Sequence, residues 1–212
     1  AYEHNVADGI TGLGNEAVVL SDGTLSAATL NQLDGYTVGQ INASAAQRVT
    51  GLMSDVKDAY EHNASSGIAG LGNAAVTLDD GTLAAATLNV LDGYTSGAIN
   101  AGAATQLGGA IADVKAAYEH NSAVSGITGL GNEAVVLSDG SLAAAALNAL
   151  DGYTSGLVDA SKASLLTGVI ANVKAAYEHN VADGITGLGN EAVTLEDGSL
   201  SAATLNVLDG YT

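Results

Sequence analysis

The feature that most constrains this chain is a repeat. "AYEHN" opens the 212-residue sequence and returns at Ala59, Ala117 and Ala176. Tyr2, Tyr60, Tyr118 and Tyr177 are 58, 58 and 59 residues apart, and Tyr36, Tyr94, Tyr153 and Tyr211, each in "LDGYT", keep the same rhythm. The extra residue falls in "NSAVSGI" of the third copy, which reads as a loop. The chain is therefore repeat 1 at 1–58, repeat 2 at 59–116, repeat 3 at 117–175 and a partial repeat 4 at 176–212, together one continuous array. Units this short bury their apolar faces by stacking on copies of themselves, so the period points to a solenoid.

Each repeat also divides in two. In the third copy "VVLSDGSLAAAALNALDGY" lies over "VDASKASLLTGVIANVKAAY", matching Val135 to Val158, Ser138 to Ser161, Ser141-Leu142 to Ser164-Leu165 and Tyr153 to Tyr177. Each half reads as a short extended run, a turn, a second extended run and a helix that ends near tyrosine. "AVVLSDGTL" sets Asp-Gly between apolar runs, which fits a hairpin or an arch between stacked strands. Thr50, Thr167 and Gly108 stand where helix N-caps are wanted. Ile111, Val114 and Tyr118 then follow at i, i+3 and i+7 on one helical face. In the shorter helix Leu30 and Leu33 share a face, and Gly35 is expected to supply a left-handed stop. After the second tyrosine a long linker, "EHNVADGITGLGNEA", leads to the next repeat. The expected fold is a right-handed α/β solenoid of strand-turn-strand-helix coils, two per 58-residue repeat. An all-α solenoid is the alternative, because alanine-rich segments favour helix.

Composition narrows the function classes. With 23 acidic against 5 basic residues the net charge is −18, which argues against nucleic acid, whose phosphates require lysine and arginine, and against an anionic membrane surface. No apolar run approaches the roughly 18 residues of a membrane span, so no membrane insertion is expected. Cysteine is absent, which removes disulfide and thiolate chemistry. The opening "AYEHNVADGI" has none of the regions of a signal peptide, so any export signal is expected outside this piece. Phe, Trp and Pro are absent too, leaving a core of Ala, Val, Leu and Ile suited to thin, close-packed coils.

"GITGLGNEAVVLSDGTLSAATLNQLDGYT", followed by "INAS", "TG" and "ADVKAAY", resembles the tandem repeats of giant cell-surface proteins of marine cyanobacteria, of the swimming-motility kind. "LNVLDGYT" is also similar to a refrain of phage tail-fibre repeats. The first resemblance implies an extracellular or cell-surface, non-enzymatic spacer, coat or fibre. The alternative it leaves open is an adhesin or tail-fibre-type module that contacts glycan, calcium or another surface. Neither carries over a catalytic residue.

The candidates for chemistry each have an architectural reading. His4, His62, His120 and His179 occur once per repeat. With coils about 4.8 Å apart, equivalent histidines two coils away are separated by roughly 10 Å, and one metal ion cannot bridge them. A helix end suits imidazole better. Asp22, Asp34, Asp80, Asp92, Asp139, Asp151, Asp197 and Asp209 raise calcium, but the calcium-loop patterns are missing and a local turn role fits. "GLGNEA" at Gly12, Gly129 and Gly187, with "GLGNAA" at Gly70, formally matches a phosphate loop. It precedes an extended run rather than a helix, so tight turning is the better reading. The tyrosines are expected to close the core with hydroxyls outward, and Asn31, Asn89, Asn148 and Asn206 to form a stacked amide ladder. No catalytic, cofactor-binding or metal residue is assigned, and no cofactor is expected. The partners expected are neighbouring repeats of the same or another chain, stacked end to end where coil faces are open, with glycan or a cell surface as a further contact.

Overall fold

The computed structural model describes Tyr2 and residues 10–65, 67–121, 126–181 and 184–212. Within these the chain is mixed α/β. The strands are β1 (Val18–Val19), β2 (Thr24–Ser26), β3 (Ile41–Asn42), β4 (Arg48–Gly51), β5 (Ile68–Ala69), β6 (Ala75–Leu78), β7 (Thr82–Ala84) and β8 (Ile99–Asn100). They continue as β9 (Gln106–Gly109), β10 (Ile127–Thr128), β11 (Ala134–Leu137), β12 (Ser141–Ala143), β13 (Val158–Asp159), β14 (Leu165–Gly168), β15 (Ile185–Thr186) and β16 (Ala192–Leu195). Four short helices, α1 (Ala27–Asp34), α3 (Ala85–Asp92), α5 (Ala144–Asp151) and α7 (Ala202–Asp209), end the first half of each repeat. Three longer ones, α2 (Met53–Ala64), α4 (Ile111–Glu119) and α6 (Ile170–Val181), end the second half. The strands exclude the all-helical alternative.

Contacts group the chain into two units. One comprises the described residues within Ala1–Asp80, Thr87–Ala103 and Asn121–Gly129, the other those within Gly81–Ala86, Ala104–His120 and Leu130–Thr212. The first holds the sheets β1-β3-β5 and β10-β8-β6-β4-β2. The second holds β15-β13-β11-β9-β7 and β12-β14-β16. Every pairing is parallel and joins a strand to the one two places further along the chain. Among the described residues no sheet closes into a barrel.

This order decides between hairpin and arch. β1 and β2 flank Asp22-Gly23 yet join different sheets, and β11 and β12 do the same around Asp139-Gly140. A hairpin would pair them antiparallel to one another; an arch sends each to a parallel partner in a different sheet, as β1 to β3 and β2 to β4. Side chains alternate as period 2 requires: Val49, Val76, Ile99 and Ile127 point into the core of the first unit, Leu107, Val135, Val158 and Ile185 into that of the second.

Four expectations need correction. Val135 does pair with Val158, but Leu142 pairs with Leu166, one residue later than the half-repeat alignment placed it. Leu166 is the inward residue of its strand. The extra residue is taken up at the arch, where both Ser164 and Leu165 donate to the Gly140 carbonyl (2.8 and 3.2 Å). Thr50, Gly108 and Thr167 are not N-caps. They lie in β4, β9 and β14, and the caps of α2 and α4 are Leu52 and Ala110, which supply no side-chain bond. Gly35 is not left-handed: its φ is −68°, and α1 closes instead through a tight turn, Tyr36 N–H to Leu33 O at 3.0 Å. Finally, the long linker is not all loop. The isoleucine after each "G" and the residue that follows it form β5, β10 and β15, which pair with β3, β8 and β13. Just after these strands Gly129 and Gly187 take φ of 86° and 87°, and a Cβ there would sit 2.8 Å and 2.7 Å from the backbone of Gly102 and Ser161. Only glycine fits so close a crossing.

Candidate functional site

The densest cluster of polar groups lies where the longer helix meets the "GLGNE" turn. Near the end of α4, Tyr118 is inward and almost fully buried, and its hydroxyl donates to the Glu133 carboxylate. Glu133 is 1% exposed. Its carboxylate also accepts the N–H groups of Gly131 (2.9 Å) and Asn132 (3.1 Å), while Thr154 Oγ1 donates to its backbone carbonyl (2.8 Å). The arrangement recurs with Tyr177, Glu191, Gly189 (2.8 Å) and Asn190 (3.1 Å). It recurs again with Tyr2 (3.3 Å), Glu16, Gly14 (2.6 Å) and Asn15 (3.2 Å).

Backbone geometry makes the nest. Gly14, Gly131 and Gly189 have φ of 135°, 136° and 129°, which turns successive N–H groups onto one point. Repeat 2 carries Ala74 in place of the glutamate. There Gly72 is not in the positive-φ region, and the Tyr60 hydroxyl donates instead to the carbonyls of Leu71 (3.3 Å) and Ala74 (3.2 Å). The glycine that matches a phosphate fingerprint thus serves an internal anion, the chain's own carboxylate. The helix that a phosphate loop needs is absent after it, since β11 and β16 follow.

Electrostatics follow burial. Desolvation, and then the Glu133 carboxylate, push the Tyr118 hydroxyl well above the usual phenol range; burial and Glu191 do the same to Tyr177. Tyr60 is raised by burial alone. The Gly14 N–H leads the donors that hold Glu16 below the usual carboxylate range. Enclosed this way, the Glu133 and Glu191 carboxylates have no open face toward solvent, and what they accomplish is to tie turn to helix. Tyrosine hydroxyls therefore point inward, contrary to expectation, in α2, α4 and α6. The outer tyrosines stack on them, with ring centroids of Tyr118 and Tyr153 5.6 Å apart and those of Tyr60 and Tyr94 6.4 Å apart.

The remaining candidates bond groups more than twenty residues away in the chain. Three of the aspartates before glycine, Asp80, Asp139 and Asp197, are helix caps acting at a distance. Asp80 Oδ2 accepts from Met53 N–H (2.7 Å), Asp139 from Ile111 (2.7 Å) and Asp197 from Ile170 (2.6 Å), each the first residue of a longer helix. The "LDG" aspartates meet histidine on the following longer helix: Asp34 to His62 Nδ1 at 2.9 Å and Asp151 to His179 Nδ1 at 2.7 Å. Gly67 leaves room for the first pair: a Cβ there would stand 2.6 Å from Asp34 Oδ1, and the carboxylate would have to shift. His120 ends α4, its N–H bonded to Ala116 O (3.0 Å), and His4 lies outside the described residues. Among the described residues, no three His, Cys, Asp or Glu side chains are grouped to hold a metal ion. The asparagines do not stack amide on amide. Asn31 and Asn148 donate to the helix carbonyls of Asp55 and Asn172, both at 2.9 Å. No described helix is long and apolar enough to cross a membrane.

No family model matches the chain, and neither a curated protein nor a solved structure matches it.

Proposed function

We propose that this chain is a structural module, a stretch of α/β solenoid with two helical coils per 58-residue repeat, serving as spacer, coat or fibre in a large extracellular or cell-surface protein. The observation that carries this reading is where the repeated polar residues spend their bonds. Asp80, Asp139 and Asp197 cap a helix of the preceding coil, Asn31 and Asn148 bond the next helix, and Asp34 and Asp151 meet its histidine. Side chains that would have to face a substrate or ligand are committed to the neighbouring coil. Nucleophilic catalysis also requires nucleophile, base and orienting group in one accessible place, and we assign no enzymatic role. The likeness of the repeats to cyanobacterial surface-protein text supports the same reading.

Thermal unfolding with millimolar calcium, with EDTA and with a glycan panel tests it. A spacer melts at the same temperature in all of them. A ligand bound only by the native state would add about 2.7 kcal/mol at a hundredfold excess over its dissociation constant, and such a shift would establish the adhesin reading instead.

A further inference from the structure

Tyr118 and Tyr177 combine burial, a carboxylate acceptor and a stacked neighbour. Tyr118 is 5% exposed and donates its hydroxyl to the buried Glu133; Tyr177 is 1% exposed and donates to the buried Glu191. The ring centroids of Tyr118 and Tyr153 are 5.6 Å apart with the planes within 10° of parallel, and those of Tyr177 and Tyr211 are 5.6 Å apart and within 2°. The outer ring reaches solvent. Tyr153 is 38% exposed, and its hydroxyl lies 3.4 Å from Oε1 of Glu119, a carboxylate paired with Lys115. Tyr60 shares the burial and the stacked neighbour, Tyr94, at 6.4 Å and 4°. It lacks the carboxylate, because Ala74 stands at that place and the hydroxyl donates to two backbone carbonyls.

This difference decides what happens when an electron is removed. A phenol that loses an electron becomes a strong acid, and inside a protein its proton leaves along a hydrogen bond already made. At Tyr118 that bond ends on the Glu133 carboxylate. Proton transfer there turns a buried negative charge into a neutral acid beside a neutral phenoxyl radical, so the oxidised pair carries no charge. At Tyr60 the acceptors are amide carbonyls, which do not take up the proton. Oxidation would leave a cation in a buried site, where an unpaired charge is costly. Composition directs oxidants to the same residues. The chain has no tryptophan or cysteine, which leaves its eight tyrosines as the most readily oxidised one-electron donors.

We infer that the Tyr118–Glu133 and Tyr177–Glu191 pairs are redox sites, at which a diffusible one-electron oxidant is reduced by the outer tyrosine and a neutral radical comes to rest on the buried one. Tyr153 gives one electron to the oxidant and its phenolic proton to Glu119. Tyr118 then gives an electron to Tyr153 across the stack, its own phenolic proton passes to Glu133, and Tyr153 recovers its proton from Glu119. The oxidant has gained one electron, Tyr118 has lost one, and the Tyr118 proton rests on Glu133. Tyr211 serves Tyr177 in the same way, lending its proton to water. Burial then keeps the radical from coupling with a second phenol. Tyr2 has its glutamate but is not buried, so a radical there stays open to coupling. The inference is independent of the spacer reading, since a spacer and a ligand-binding fibre could both carry such sites.

The test oxidises the full chain with azide radical from pulse radiolysis and follows tyrosyl radical by its visible absorbance and by electron paramagnetic resonance. Two populations are expected: a surface radical whose decay quickens with protein concentration, and a longer-lived one whose decay does not. The second grows as the first falls, and grows more slowly in heavy water because a proton moves with the electron. Tyr118→Phe combined with Tyr177→Phe abolishes it, and Tyr60→Phe leaves it unchanged. Glu133→Gln combined with Glu191→Gln keeps side-chain size and an acceptor for the glycine N–H groups, and slows its formation on the order of a hundredfold. Circular dichroism shows whether that variant is folded. If it is not, Tyr153→Phe combined with Tyr211→Phe keeps the stacked rings, removes the phenol that passes the electron, and abolishes the long-lived signal. A parent chain whose radicals all decay by concentration-dependent coupling overturns the inference. So does a long-lived radical that forms at the parent rate in the folded glutamine variant or in the outer phenylalanine variant, or one that Tyr60→Phe removes.

Discussion

Gly72→Ala and Gly131→Ala form a matched pair that isolates the carboxylate nest. Both glycines occupy the same place in the repeat and neither is crowded. A Cβ on Gly72 meets nothing within 4 Å, and one on Gly131 comes no nearer than 3.8 Å, to Tyr153 O. Sterics therefore predict two harmless changes. The backbone predicts otherwise. Gly131 holds φ at 136° in order to aim its N–H at Glu133, while Gly72, opposite Ala74, does not need to. Alanine at Gly131 either keeps a strained φ, costing about 1–3 kcal/mol, or relaxes and leaves a buried carboxylate short of a donor, at a similar cost. Alanine at Gly72 restricts only the unfolded chain and stabilises by about 0.4–1 kcal/mol. Urea denaturation followed by circular dichroism should separate the two variants by about 1.5–4 kcal/mol. Equal shifts of the same sign would refute the argument that the nest, rather than the turn itself, dictates the glycine.

Other consequences follow from the same contacts. Asp139→Ala removes the acceptor for Ile111 N–H and should destabilise by about 0.5–2 kcal/mol, while Asp22→Ala, which has no described helix to cap, should have almost no effect; chemical denaturation of both variants checks this. Tyr118 and Tyr177 are held protonated by burial and by their glutamates. Above about pH 10 the unfolded chain loses tyrosine protons that the folded chain retains, so stability must fall as pH rises from there. Melting temperature and tyrosinate absorbance followed together should show ionisation of the buried rings only on unfolding. Glu16 works in the opposite sense. Its folded value is depressed, so its contribution is complete above the ordinary carboxylate range and is lost as pH falls through it, a loss that Glu16→Gln should abolish in an acid titration.

Much of this architecture can be read in the text of the chain. Asp-Gly between apolar runs marks the turns, and Val135 over Val158 foretells the strand register. Tyr60 and Tyr177 mark the ends of the longer helices. What escapes a linear reading are bonds made at a distance. Asp139 looks like a local turn residue because its partner, Ile111, is 28 residues away and contributes only a backbone N–H, which has no signature in sequence. Thr50 looks like a cap because threonine often is one, yet its β-branched side chain serves equally well in β4. The Tyr–Glu nest did leave a signal. Glu16, Glu133 and Glu191 follow the same glycine and asparagine, and Ala74 is the one departure. On its own that exchange gives no sign of the change in backbone conformation that accompanies it, the loss of positive φ at Gly72. The β5, β10 and β15 strands left little to read, since each is one isoleucine and one small residue inside a glycine-rich linker, too short for an alternation to show.

The central claim is that 58-residue repeats stack as successive coils rather than folding into a rounded core, and small-angle X-ray scattering of the 212-residue chain tests it most directly. A compact globule of this length has a radius of gyration of about 17 Å. The account predicts a clearly larger radius, a distance distribution skewed toward long separations, and a further increase in length when one more 58-residue repeat is inserted. A symmetric distribution with the globular radius, growing only as the cube root of chain length on insertion, would contradict it.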